Sequence, residues 1–358
     1  MSWSSGTSWK ESDRPAAQSP TGVRLGEAGR FPGRTALIAR PPRRHTGIGS
    51  LSGETETMSR TVTVGLDDSP ESRAAAEWAA REALLRGLPL KIVHVRGPTP
   101  RHVARTPLLD PESQRHWAQQ LTHESADGIR LRHPGIEVIT EQLTGTVVGV
   151  LCEAAGSAEL LALGSRDVGG FSGFMLGSVS LGVVARAERP VVLVRAGEQA
   201  ADEHEMDPSG VPSAAAPFRP VVLGLDIDRP DDTLLDFAFD AAARRKTALR
   251  AVHAWPEPSA SFHGFSGDVR LHDSLVRGQA ALLGKVLRPW RQKFPDVEVL
   301  EASRCGSAPQ VLVNDSRDAS LVVVGRRIRR HSFGAHIGHV THSALHHIAA
   351  PVAVVAHT

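Results

Sequence analysis

A chain of 358 residues has room for two ordinary domains and further segments, at roughly 100 to 200 residues per domain. With 41% hydrophobic and 22% charged residues, and no apolar run near the roughly 18 residues a spanning helix needs, the composition predicts a soluble globular protein with no membrane partner. Two cysteines, Cys152 and Cys305, exclude a disulfide scaffold and a zinc ribbon, and a formal charge of +2 excludes a strongly basic nucleic-acid binder.

Residues 1–58 are rich in Ser, Gly, Pro and Arg and lack apolar periodicity, so they are expected to form a disordered basic tail. Residues 1–57 carry eight Lys/Arg against five Asp/Glu, which leaves 33 basic and 34 acidic residues for the rest and argues against a nucleic-acid partner. Arg40, Arg43 and Arg44 could touch an acidic partner, but so scattered a charge makes only a weak field. No export signal is readable around Trp3 and Trp9, and the cysteine usage fits a reducing compartment, so a cytoplasmic location is expected. Met58, directly before the first apolar run, is an alternative start.

Short Val/Leu/Ile runs then alternate with longer helical patterns. The strand candidates are Thr61–Leu66, Leu90–Val95, Glu137–Thr140, Glu159–Leu163 and Val191–Val194, nearly continuous apolar runs of the kind buried on both faces. Ser69-Pro70-Glu71-Ser72 offers a cap residue followed by Pro at the first helical position; it leads into the Ala-rich stretch Arg73–Arg86, which Gly87 closes. The alternation predicts an α/β fold with a parallel sheet covered by helices.

The pattern then repeats. Val64-Gly65-Leu66-Asp67 returns as Leu223-Gly224-Leu225-Asp226, and Val93-His94 as Val252-His253, both 159 residues on. Gly145, Gly164, Gly177 and Pro190-Val191 return as Gly306, Gly325, Gly338 and Pro351-Val352 at an offset of 161. A period of about 160 is too long for a solenoid and marks a duplicated domain. The expected organisation is a first domain over 60–196, a linker over 197–217 rich in Asp, Glu, Ser, Pro and Ala, and a second domain over 218–358.

Open parallel sheets bind ligands beyond the carboxyl ends of their strands, so residues that follow strands are the informative ones. After the first strand comes Gly65-Leu66-Asp67-Asp68-Ser69, and after the fourth a loop with five glycines between Gly164 and Gly177 that runs into Gly177-Ser178-Val179. Such a loop lets backbone N–H groups approach an anion, and a helix start favours phosphate. The V-G-x-D element after strand 1, together with G-x2-G-x9-G-[ST]-V after strand 4, resembles the ATP-binding class of the universal stress protein family, in tandem two-domain form.

The resemblance implies two copies of a doubly wound five-stranded parallel sheet of adenine nucleotide alpha hydrolase-like type, strand order 3-2-1-4-5. It implies an adenine nucleotide, ATP with or without Mg2+, at the switch point, and pairing of domains through strand 5. Carried over residue by residue, Gly65 and Asp67 border the adenine and ribose and Val95 lines the base. Gly164 and Arg166 lie by the ribose and first phosphates, Gly177, Ser178 and Val179 hold the phosphate chain, and Gly169 belongs to the same cofactor-binding set. Asp167 departs from the pattern by replacing the second glycine, placing a carboxylate where phosphates are expected. The second copy departs further, with Ile328 at that position and Gly338-His339-Val340 for Gly-Ser-Val, so it is expected to be degenerate in nucleotide binding, although Arg326, Arg327, Arg329 and Arg330 could attract phosphates by charge.

Six histidines, His331, His336, His339, His342, His346 and His347, crowd the end of the second copy. His342 and His346 stand i, i+4, but without an HExxH glutamate or cysteines a zinc site is unsupported, and no metal residue is assigned. His94 and His253 read as structural. No GxxxxGK[ST] is present, Gly284-Lys285-Val286 lacks its spacing, and neither a G-x-S-x-G elbow nor a G-x-G-x-x-G fingerprint occurs, so no catalytic residue is assigned. The expected function is an ATP-binding stress-response regulator whose bound state changes a surface facing an unknown regulatory protein, as a homodimer or an internal pseudo-dimer. Alternatives are a slow Mg-dependent ATP hydrolase and a structural module without nucleotide.

Overall fold

The computed structural model describes residues 60–97, 111–165, 177–256, 269–328 and 337–358. The tail expected over 1–58 lies outside these, as do Arg166, Asp167 and Gly169 of the glycine-rich loop and Arg329, Arg330, His331 and His336. The first half runs β1 (Val62–Gly65), α1 (Pro70–Arg86), β2 (Leu90–Arg96), α2 (Pro111–Arg132), β3 (Val138–Thr144), α3 (Val147–Ser157), β4 (Leu160–Ser165), α4 (Ser178–Val184) and β5 (Val191–Arg195). A 3-10 turn at Ala200–Glu203 leads to the second half: β6 (Val221–Gly224), α5 (Asp232–Arg245), β7 (Leu249–Trp255), α6 (Val269–Lys293), β8 (Val299–Cys305), α7 (Ala308–Asp315), β9 (Leu321–Arg327), α8 (His339–His347) and β10 (Val352–His357).

All ten strands form one sheet in the order β3-β2-β1-β4-β5-β10-β9-β6-β7-β8. Each half is parallel within itself and has the order 3-2-1-4-5, so β1 sits between β2 and β4, with Val62 opposite both Leu90 and Leu160. The halves meet at one antiparallel seam, β5 on β10, where Val192 faces Ala353. The internal pairing through strand 5 expected from the resemblance is thus realised in the backbone. Central strands are almost continuously apolar because both faces are covered, with Thr63 of β1 a buried exception. One face packs α1 and α5 around Trp78, Leu235 and Phe239, and the other packs Leu151, Val183, Leu312 and Leu345.

Local chemistry explains the elements that frame the site. Ser69 caps α1 by accepting from Ser72 N at 3.2 Å, Pro70 opens the helix, and Gly87 closes it in left-handed geometry, φ 63°. In the second half the cap moves along the chain: Asp231 accepts from Thr233 N and Leu234 N at 2.9 and 3.2 Å, and α5 begins only at Asp232. Both helices end in register, Arg86 against Arg245 at the offset of 159, so α5, with 14 residues to the 17 of α1, lacks the first turn. The third strand reaches Thr144 where an apolar run predicted Thr140, because Glu141 and Gln142 alternate with Leu143 at the sheet edge and continue its pairing with β2.

Candidate functional site

The carboxyl ends of β1 and β4 diverge at the point where strand order reverses, and a cavity of about 290 Å3 opens there. Its apolar floor is Val93, Val95, Val147, Leu151 and Leu163; its rim is Gly65, Asp67, Ser69, Gly164 and the start of α4 at Gly177, Ser178 and Val179. Seven of the nine residues expected from the sequence therefore converge on one space. The other two, Arg166 and Gly169, lie outside the described residues.

Two glycines are closely approached, Gly65 by a side chain and Gly164 by backbone. A Cβ on Gly65 would stand 2.7 Å from Leu163 Cδ2, and one on Gly164 would stand 2.6 Å from the Glu71 carbonyl carbon and 2.7 Å from Ser72 N. Gly164 thus lets β4 run directly under the first turn of α1. Ser180 Oγ donates to Gly164 O at 2.9 Å and ties α4 to the same strand end. The Asp67 carboxylate accepts from Ser69 N at 3.2 Å and Ser69 Oγ at 2.5 Å, which fixes it on the rim. His94 is buried with Nδ1 2.8 Å from Leu66 O, so it braces the loop after β1, in agreement with the structural role expected for it.

The first N–H groups of a helix have no intrahelical acceptor, and Gly177 caps α4 without a side-chain bond, so this rim offers backbone donors. Ser69 and Ser72, read from sequence as part of a helix cap, also line the cavity, and Val147, Leu151 and Ser180 were not assigned to the site from sequence. The hydroxyl at 180 had a signal, since Thr341 stands 161 residues on and its Oγ1 donates to Gly325 O at 2.8 Å.

The sequence profile of the universal stress protein family matches this chain twice, over residues 58–195 and 217–356. The chain belongs to the universal stress protein family. A universal stress protein of Mycobacterium tuberculosis is 32% identical over 308 residues, covering 82% of this chain and 96% of that protein. One from Mycolicibacterium smegmatis is 31% identical over 304 residues, with the same coverage. The crystal structure of a universal stress protein from Archaeoglobus fulgidus shares the fold with a TM-score of 0.57 at 17% identity, covering 82% of this chain and 98% of that one.

The second universal-stress repeat builds its own cavity, about 510 Å3, on the equivalent strand ends. It is wider for reasons visible in the sequence: Val95, Val147 and Leu163 are matched by Ala254, Ala308 and Val324, and α5 lacks the turn that covers Gly164 in the first repeat. His357 stands in that turn's place, since a Cβ on Gly325 would meet its Nε2 at 2.7 Å. The lining carries Asp226, Asp228, Asp231 and His339 together with Arg229 and Arg327. His342 and His346 stack at 4.3 Å between ring centroids, and burial with the neighbouring imidazoles His346 and His347 lowers the His342 pKa. Among the described residues no three His, Cys, Asp or Glu side chains converge as a metal site, and no helix is long and apolar enough to cross a membrane.

Proposed function

We propose that this universal stress protein binds an adenine nucleotide, ATP, in the cavity of its first repeat and acts as a stress-response regulator through that bound state. The observation that carries the reading is the convergence of Gly65, Asp67, Val95, Gly164, Gly177, Ser178 and Val179 on one cavity at the switch point. The residues fit the ligand class. The apolar floor between Val95 and Leu151 suits a flat base, and the carboxylate of Asp67 suits ribose hydroxyls as an acceptor. The backbone donors at Gly177 and Ser178 suit phosphate oxygens. At about 290 Å3 the cavity is at the lower end of ligand sites, which run from roughly 300 to 1,000 Å3, so it would enclose base and sugar and leave the phosphates at its rim.

The second repeat is proposed to bind nucleotide less well. His339 replaces Ser178 at its helix start, and the three aspartates that line its cavity outnumber the two arginines, Arg229 and Arg327, which disfavours phosphate. Regulation would follow from ordering of the rim around the ligand, which alters the surface a protein partner meets. Equilibrium dialysis with labelled ATP, run beside a phosphate-release assay with and without Mg2+, tests the reading. Retained ATP without turnover supports it, retained ATP with turnover supports the hydrolase, and absence of binding leaves a structural module.

A further inference from the structure

The segment between the repeats is seated on buried charge. Arg81 of α1 donates through Nη2 to both oxygens of Glu198 at 2.9 Å, and through Nη2 and Nε to Glu203 Oε1 at 2.6 and 2.8 Å. One guanidinium thus serves two carboxyl groups, whose side chains are only 4% and 2% exposed. Glu203 Oε2 lies 3.9 Å from Arg245 of α5, and Arg245 Nη2 donates to Glu82 Oε2 at 2.6 Å. Glu82 Oε1 accepts from Arg86 Nε at 2.6 Å, and Arg86 Nη1 reaches Asp240 of α5 at 3.1 Å. A continuous run of charges therefore passes from the linker across both repeats.

We propose that Glu198, Glu203 and Arg81 form a proton-operated clasp: a proton on the Glu198 carboxyl keeps the linker seated across α1 and α5, and its loss to solvent releases the linker. The geometry makes Glu198 the costly carboxylate of the run: Glu203 has Arg245 beside it as well, whereas Glu198 is held by the same Arg81 nitrogen that already serves Glu203, in a poorly solvated place. Burial raises the Glu198 pKa; Arg81 draws it down and the neighbouring Glu203 raises it again, leaving it at about 8 against an ordinary 4.5.

The other charged and titratable groups around the pair are accounted for. From α1 and α5 come Arg245, which lies between Glu203 and Glu82, and Arg86, which lies between Glu82 and Asp240. Within the linker, Asp202 is exposed and accepts from Gln199 N at 2.9 Å, while His204 turns Nδ1 to Ala200 O at 2.7 Å and packs on Phe218. Arg219 gives its backbone N–H to Glu203 O at 2.9 Å, and Arg195 donates through Nη2 to His346 O at 3.0 Å. A carboxyl raised on docking stabilises the docked state fully below its ordinary value, and that stabilisation is lost as pH rises through about 8.

Hydrogen-exchange protection factors of the amides from 199 to 206, measured in the full chain between pH 6 and 9.5 and corrected for intrinsic exchange, read the clasp directly. Protection should fall by about one to two decades over that range. Glu198→Gln, which mimics the protonated carboxyl, should keep the protection seen at pH 6 and lose less than about threefold by pH 9.5. Arg81→Lys, with one point charge for a fork, should lower protection at every pH. Protection in the unaltered chain that does not change up to pH 9.5, a Glu198→Gln chain with the same pH dependence, or one that cannot seat the linker at pH 6 would each overturn the proposal.

Discussion

Gly164 sets how closely β4 approaches helix α1, and the atoms an added methyl would meet are the Glu71 and Ser72 backbone, which cannot rotate away. Gly164→Ala should therefore cost about 1 to 3 kcal/mol in urea unfolding. The matched change Gly325→Ala should cost less, because its nearest neighbour is the terminal ring of His357. A second backbone contrast gives the opposite sign. Lys246 closes α5 at φ 51°, the left-handed geometry that Gly87 supplies to α1 at φ 63°. Lys246→Gly should raise stability by about 1 kcal/mol, read as a higher urea midpoint at an unchanged slope.

At the scale of elements, what could be read from the sequence followed from short-range chemistry. The cap at Ser69, the Pro at the helix start, Gly87 and the apolar strand runs each act within a few residues, and α1 and the central strands appear where those signals place them. The cavity residues on β1, β4 and α4 were legible because the duplication repeats them. The contributions of Val147 and Leu151 were not, since one turn of an apolar helix looks the same whether it faces a core or a ligand. The delayed start of α5 was hidden as well. Pro230, Asp231 and Asp232 allow more than one cap, and the choice opens the second cavity beside His357. The run of charges from Glu198 to Asp240 joins residues far apart in the chain, and no local pattern announces it.

For the whole molecule, Glu82 is one of the points where the two repeats are joined by charge, through Arg245. Burial raises its pKa, but Arg245 and Arg86 more than offset this and hold it at about 2 against an ordinary 4.5. A carboxylate lowered in this way stabilises the fold above its ordinary value, and the stabilisation is lost as pH falls from about 4.5 toward 2. The loss is on the order of 3 kcal/mol for this group. Urea unfolding at pH 6 and pH 3 should show it, and Glu82→Gln, which leaves two buried guanidinium groups without their carboxylate, should be less stable at pH 6 and differ less from the unaltered chain at pH 3.

The claim that the first repeat is the nucleotide site is tested most directly by calorimetric titration of ATP into the full chain and into two matched variants, Gly177→Asp and Gly338→Asp. Both glycines cap a helix in extended backbone geometry, where aspartate is a good capping residue, so either change should leave the fold intact. The account predicts one site in the unaltered chain. Gly177→Asp should weaken it by roughly one to two decades, the repulsion expected of charges at about 4 to 6 Å near a wet surface, and Gly338→Asp should leave it unchanged. Equal weakening by both variants, or binding that Gly177→Asp leaves untouched, would contradict the account.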